Sequence, residues 1–143
     1  MKLEFRAFIG DVDWSWVNSQ VPILRVEDTS GIMAIDTETN TIVGAVIFDN
    51  WTANSVQTHF MVTSPTVLKH KFLEEVYNYV FKFKKLKYMY GLVPANNEKA
   101  VKLNKHMGWT IKATMPEAYA EGVDYLLFEL TKDNCKYLGK EDG

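Results

Sequence analysis

Three histidines are the side chains of this chain that titrate near neutrality. His59 falls in the run Val56 to Thr63, VQTHFMVT, which has the composition of a strand, whereas His70 and His106 sit in stretches with helical periodicity. An imidazole on a strand can take a proton from a nucleophile, with Asp49, Glu27 and Asp28 as weaker alternatives. The plainer reading of His59 is a histidine on the half-buried face of a strand. No pair of His, Cys or carboxylate residues has metal-ligand spacing, so no metal is expected. Covalent catalysis lacks support: there is no G-x-S-x-G, and Cys135 lies in a polar tail without a placed base. The absence of G-x-x-x-x-G-K-[ST] and G-x-G-x-x-G argues against nucleotide hydrolysis and a dinucleotide fold.

The richest stretch runs from Tyr88 to Trp109, YMYGLVPANNEKAVKLNKHMGW. Met89 to Val93 reads as a buried strand closed by Pro94, which removes a backbone donor. Asn97 stands where a helix N-cap belongs, with Glu98 in the first turn favouring the positive helix end. Ala100, Leu103 and Met107, widened by Val101, form the apolar stripe of a helix from Glu98 to Met107, and Lys99, Lys102 and Lys105 stay on its wet side. Gly108 follows at the position where a left-handed residue closes helices.

These groups must be positioned by the rest of the chain. Leu3, Phe5, Ala7 and Ile9 alternate with Lys2, Glu4, Arg6 and Phe8 as a first strand, and Asp11 or Asp13 can cap a short helix through Trp14, Trp16 and Val17. Residues 18–31 read as an irregular connection. Ile32 to Asp36 and Ile42 to Asp49 form a hairpin around a polar turn, and Gly44 marks a bulge or a close backbone approach. After the strand at Val56 to Thr63, Thr66 is the N-cap of a long helix from Val67 to Lys84, striped by Leu68, Phe72, Val76, Tyr79 and Phe83. Thr110 to Met115 is a strand, Pro116 to Gly122 a loop and Val123 to Leu130 a last strand; the tail from Asp133 to Gly143 is expected to fray. The order is β-α-β-β-β-α-β-α-β-β, which predicts an α/β (α+β) domain over 1–143. Its mixed, mostly antiparallel sheet of six to seven strands is flanked by helices on both faces.

The segment Asn97-Glu98-Lys99-Ala100-x-x-Leu103-x-Lys105-x-Met107-Gly108-Trp109 resembles, without insertion or deletion, the N-x-x-A-x-x-L-Y-x-K-x-G-F signature of the GNAT (Gcn5-related) N-acetyltransferases. The order of elements is also similar to that family's, so the resemblance extends over nearly the whole chain. It implies an enzyme that transfers acetyl from acetyl-CoA to a primary amine, on a small molecule or a peptide, by direct attack. It also implies a cofactor slot between the strand carrying His59 and the strand from Lys87 to Val93. Backbone groups at Phe60, Met61 and Val62 would pair with the pantetheine arm and polarise the thioester carbonyl. Asn97 and Ala100, at the start of the following helix, would touch the same arm. His59 becomes the candidate general base because its strand borders that site.

Two departures from the family pattern stand out. The turn that usually reads Q/R-x-x-G-x-G/A is here Thr63-Ser64-Pro65-Thr66-Val67-Leu68-Lys69, without glycine, leaving Thr66, Lys69 and Lys71 to hold the pyrophosphate less closely. Asn104 occupies the place of the tyrosine that protonates the departing thiolate, and an amide cannot give up a proton. Tyr88, Tyr90 and Tyr125 are substitutes for that acid, each more simply an aromatic packing on a sheet. The rival expectation is a GNAT-fold protein that has lost catalysis and serves as a binding or structural component; small GNAT-like proteins of bacteriophages are loosely similar in size and in their glycine-poor cofactor loop.

Composition narrows the partners. In 143 residues, 47% hydrophobic and 13% aromatic, there is enough apolar material for a proper core. The net charge of −2 gives no electrostatic case for nucleic acid. Lys82, Lys84, Lys85 and Lys87 cluster where cations favour a helix C-terminus. A single cysteine suits a reducing compartment, the first ten residues alternate unlike a secretory signal, and no run approaches a membrane span; a cytoplasmic location is expected. The sequon Asn50-Trp51-Thr52 is then accidental. Aromatics in the first forty residues, if exposed, point to an interface such as a homodimer's.

Overall fold

The computed structural model describes residues 1–69 and 71–138, and His70 and the end of the tail lie outside the described residues. One sheet of seven strands runs in the order β1-β2-β3-β4-β5-β7-β6. Its strands are β1 (Leu3–Ala7), β2 (Ser30–Asp36), β3 (Thr41–Asp49), β4 (Ser55–Val62), β5 (Tyr88–Pro94), β6 (Thr110–Ala120) and β7 (Val123–Thr131). Neighbours are antiparallel throughout except β4 and β5, which are parallel. This is the mixed, mostly antiparallel sheet expected, with helices on both faces.

Strand alternation sorts the apolar residues into two layers. On one face Val46, Phe48, Val56, Met89 and Phe128 meet Phe72, Leu73, Val76 and Tyr77 of α2 (Phe72–Tyr77) and its π-helical continuation (Asn78–Phe83), with Trp109 closing the edge of that core. On the other face Met33, Ala45, Ile47 and Met61 pack under α1 (Gly10–Gln20) through Val17, Trp14 and Trp16. That second cluster draws its strand residues from β2, β3 and β4, so α1 covers half of its face.

Several boundaries differ from expectation. The apolar stripe from Val67 to Lys84 is real, but the segment is no continuous α-helix: a 3-10 turn over Pro65–Lys69 precedes Lys71, which is left-handed at φ 67°, and α2 starts only after it. Thr66 therefore caps no helix; its hydroxyl pairs with that of Ser64 at 2.9 Å. Asp13 does not cap α1 from outside but reaches back from its first turn to accept the Ile9 N–H at 2.8 Å. Asp11 pairs with Arg25 at 3.0 Å instead. Pro116 does not end β6, which continues to Ala120 as an edge strand, where a missing N–H costs nothing. Gly44 supports both readings offered for it. Val43 is bulged out of the register with β2, and a Cβ on Gly44 would lie 3.2 Å from Phe72 and Val67. In the tail, Lys132–Asn134 makes one 3-10 turn, and Cys135 and Leu138 pack against the larger core. The aromatics of the first forty residues are half-buried: Phe5 stacks on Phe72 at 5.7 Å and Phe8 meets Trp14 edge-on at 6.4 Å, which removes the ground for reading an interface from them.

Candidate functional site

The site is set by how briefly β4 and β5 pair. Their register covers Ser55–Tyr88, Val56–Met89 and Gln57–Tyr90 and then stops. Gly91 marks the vertex: a Cβ there would come within 2.9 Å of the Thr58 carbonyl oxygen, so glycine lets the backbones approach before they part. Beyond it β4 remains bonded to β3 on one side and β5 to β7 on the other, leaving a wedge between them.

The edge that faces the wedge follows from the ladder. The Thr63 N–H donates to the Val43 carbonyl at 2.9 Å, which fixes Val43–Thr63, Ala45–Met61, Ile47–His59 and Asp49–Gln57 as the hydrogen-bonded pairs of β3 and β4. Phe60 and Val62 belong to the alternate set and turn their backbone N–H and C=O groups toward the open side. Met61 does not: its backbone serves β3, and its side chain is buried under α1. Of the three residues expected to present backbone groups, two do.

The Phe60 ring lines the floor of the wedge, edge-on to Trp109 at 6.0 Å and to Phe72 and Tyr77 at 6.4 Å. The Trp109 indole N–H donates to the Tyr77 hydroxyl at 2.9 Å, and burial pushes the Tyr77 phenol well above its usual range. Beside the vertex Thr58 is 5% exposed, and its hydroxyl has no hydrogen-bond partner within the protein. Asn97 caps α3 (Glu98–His106) as expected, its side-chain oxygen accepting the Ala100 N–H at 3.1 Å. Asn104 spends one amide N–H on the Ala100 carbonyl at 2.8 Å, so it serves its own helix. Thr66, Lys69 and Lys71 are exposed on the 3-10 turn and its left-handed exit, and Lys71 is the N-cap of the short α2, without a side-chain cap bond.

On the opposite face of the sheet, beside α1, the His59 Nε2–H donates to Asp49 Oδ2 at 3.0 Å. Asp49 is 9% exposed, and its other oxygen, Oδ1, is buried without a partner. Both residues line a cavity of about 370 Å³ together with Gln57 and Asn50. Its outer wall is Ile23, Leu24, Val26 and Asp28 from the connection between α1 and β2. Asp28 is held by Trp51, whose backbone N–H donates to its Oδ2 at 3.1 Å and whose indole N–H donates to its carbonyl at 3.2 Å. Asn50 donates to the Tyr90 hydroxyl, which ties the end of β3 to β5. Glu27 is exposed and does not line it.

Tyr88 donates to Glu129 on β7, and burial, reinforced by that carboxylate, pushes its phenol up to about 12. Tyr125 packs on Tyr119 with ring centroids 5.3 Å apart, and burial raises it too. Both shifts favour retention of the proton. The Asp49–His59 pairing escaped sequence reasoning, although a signal existed: the two residues flank a short turn at matching parity, which puts them on one face of a hairpin. No group of three or more metal-binding side chains occurs among the described residues, and no helix there is long and apolar enough to cross a membrane.

Comparison with solved structures gives the architecture its name. The chain is similar to the spermidine/spermine N-acetyltransferase SpeG from Vibrio cholerae, with a TM-score of 0.74 at 14% identity over 91% of this chain and 92% of that one. It is also similar to the N-acetyltransferase PseH from Campylobacter jejuni, solved in complex with acetyl coenzyme A, with a TM-score of 0.57 at 20% identity over 75% of this chain and 70% of that one. No protein-family model matches the sequence, and no curated protein matches it. At these identities the likeness is one of fold: the chain has the GNAT fold.

Proposed function

We propose that this chain is an acyl-CoA-dependent N-acyltransferase that acetylates a primary amine by direct attack. The observation that carries the reading is the wedge between β4 and β5, where the Phe60 and Val62 backbones are free to pair with an extended amide-bearing arm. That arm is the pantetheine of acetyl-CoA, whose thioester supplies an activated acyl group when bound. The residues fit it there, with Asn97 and Ala100 at the start of α3 as further contacts. They fit its pyrophosphate less closely, since Thr66, Lys69 and Lys71 offer side chains in place of a backbone cradle.

The chain's own groups divide the work by sheet face. A backbone N–H of β4 beyond the vertex, at Phe60 or Val62, would stabilise the oxygen of the reacting carbonyl, as preorganised donors do when charge develops. From the cavity side, His59 accepts the proton that the amine nitrogen sheds as its C–N bond forms and the C–S bond breaks. Asp49 orients that imidazole and stabilises its charged form. Asn104 has no proton to give to a departing thiolate, so water would have to supply it, which a thiolate with a conjugate acid near pKa 8.5 tolerates. A cytoplasmic setting accords with the single cysteine.

A second reading, a GNAT-fold protein that binds without catalysis, is favoured by the glycine-free turn and by Asn104. Two measurements separate them. Acetyl-CoA at 100 times its dissociation constant should stabilise the fold by about 2.7 kcal/mol, a shift of several degrees. Thiol release with an amine should then exceed hydrolysis, and His59→Ala should lower it by about 10²- to 10⁴-fold. No shift at millimolar acetyl-CoA overturns the acyltransferase reading, and a shift without amine-dependent thiol release establishes the second.

A further inference from the structure

Accepting the acyltransferase reading, we infer that the acceptor is a short aliphatic diamine, lying in the cavity between β4 and the α1–β2 connection with one nitrogen at His59 and the other at Asp28. The cavity, about 370 Å³, is within the size range of small-molecule sites, roughly 300 to 1,000 Å³. Its charged lining is acidic, with Asp28 and Asp49, and none of its lining residues is a lysine or an arginine. An acceptor carrying a carboxylate or phosphate would meet only like charge there, which costs affinity and excludes amino acids and phosphorylated amines.

Asp49 is nine-tenths buried and keeps one oxygen without a partner, which in a folded protein marks a place where a bound donor belongs. The reacting nitrogen must be neutral when it attacks, and a lone carboxylate beside it would hold it protonated. The two acids of the lining are held by different partners. Asp49 is engaged by His59 at 3.0 Å, so its charge supports the imidazole that removes the proton. Asp28 stands on the other wall, its carboxylate anchored by the Trp51 N–H at 3.1 Å, and is free to hold an ammonium that does not react. Ile23, Leu24 and Val26 of the same lining offer apolar surface suited to methylene groups and unsuited to a polar chain.

The test compares three acceptors of equal length with the full chain and saturating acetyl-CoA: a five-carbon α,ω-diamine, pentylamine, and the ω-amino acid in which a carboxylate replaces the second nitrogen. The expected order of kcat/KM is diamine above pentylamine by about tenfold or more, as for a charge-assisted hydrogen bond, with the amino acid lowest. Asp28→Asn keeps the oxygen that accepts from Trp51 and removes the charge, so it should bring the diamine down toward pentylamine, mainly in KM, and Asp28→Glu should restore part of the gap. Unfolding midpoints of both variants within a degree or two of the parent confirm that the fold is intact. If either variant is unstable, diamine binding to the parent at low and high salt replaces it, with weakening at high salt expected. Pentylamine or the amino acid turning over as well as the diamine overturns the inference and leaves the acyltransferase intact. Acetyl-CoA binding with no turnover or binding of any of the three also overturns it. Diamine binding without acetyl-CoA binding would support the cavity assignment while overturning the acyltransferase.

Discussion

Gly91→Ala tests the vertex of the wedge at its tightest point. The added Cβ would sit 2.9 Å from the Thr58 carbonyl oxygen and 4.0 Å from the Trp109 ring. The ring contact is ordinary. Carbon-to-oxygen contacts settle at roughly 3.3 Å or beyond, so β4 and β5 must separate by about 0.4 Å, and both are backbone with no rotamer to give way. Forcing such a shift in a packed sheet costs about 1–3 kcal/mol. Gly→Ala lowers the entropy of the unfolded chain, offsetting about 0.4–1 kcal/mol of that. The balance is a loss of up to about 2.6 kcal/mol, or up to roughly 8 °C in melting temperature for a domain of this length. The vertex also sets the distance between thioester and amine, so kcat/KM should fall by about tenfold to a hundredfold beyond any loss of folded protein. Urea unfolding and steady-state kinetics on the same preparation measure both. An alanine variant as stable and as active as the parent would refute the close approach of the two strands and with it the geometry assigned to the site.

Four further substitutions probe the supports of the fold and the site. Arg6 donates to buried Asp13 through two bonds of 2.6 and 2.8 Å and holds its carboxyl below the usual carboxylate range. That stability is present above the ordinary carboxylate pKa and is lost as pH falls through the lowered value. Arg6→Gln should therefore cost about 3 kcal/mol at neutral pH, the low end for a broken buried pair because Arg6 is partly exposed, and should flatten the acid limb of a urea-midpoint profile. Trp109→Phe strands the buried Tyr77 hydroxyl and should cost about 1–3 kcal/mol; adding Tyr77→Phe should recover part of it in a double-mutant cycle. Asn97→Ala removes the cap of α3, about 1 kcal/mol by thermal unfolding, and should also shrink the stabilisation that acetyl-CoA confers.

The order of elements along the chain was legible because its signals are local: alternation in β1, β-rich or apolar runs in the later strands, and the boundary signals of the N-capped α3. What escaped were features fixed by neighbours. The stripe from Leu68 to Phe83 has helical spacing, yet spacing does not report that Lys71 turns left-handed or that the last turns widen to a π-helix over Asn78–Phe83. Pro116 reads as a breaker, and only its place at the sheet edge makes it harmless. His59 was recognisable as a histidine on a strand, but its partner Asp49 depends on hairpin register, and the wall formed by Ile23 to Asp28 depends on how an irregular connection folds over the sheet. Asn104 shows the opposite case. The sequence position alone excluded a proton donor, and its bond to Ala100 adds what the amide does instead.

Residue-resolved amide hydrogen exchange, with and without acetyl-CoA, reads the wedge itself. Phe60 and Val62 should exchange quickly in the free protein and become protected when the cofactor arm takes up their free edge, while Met61, bonded to β3, should be protected in both states. Phe60 and Val62 amides already protected without ligand, or indifferent to saturating acetyl-CoA, would contradict the open edge on which the proposed chemistry depends.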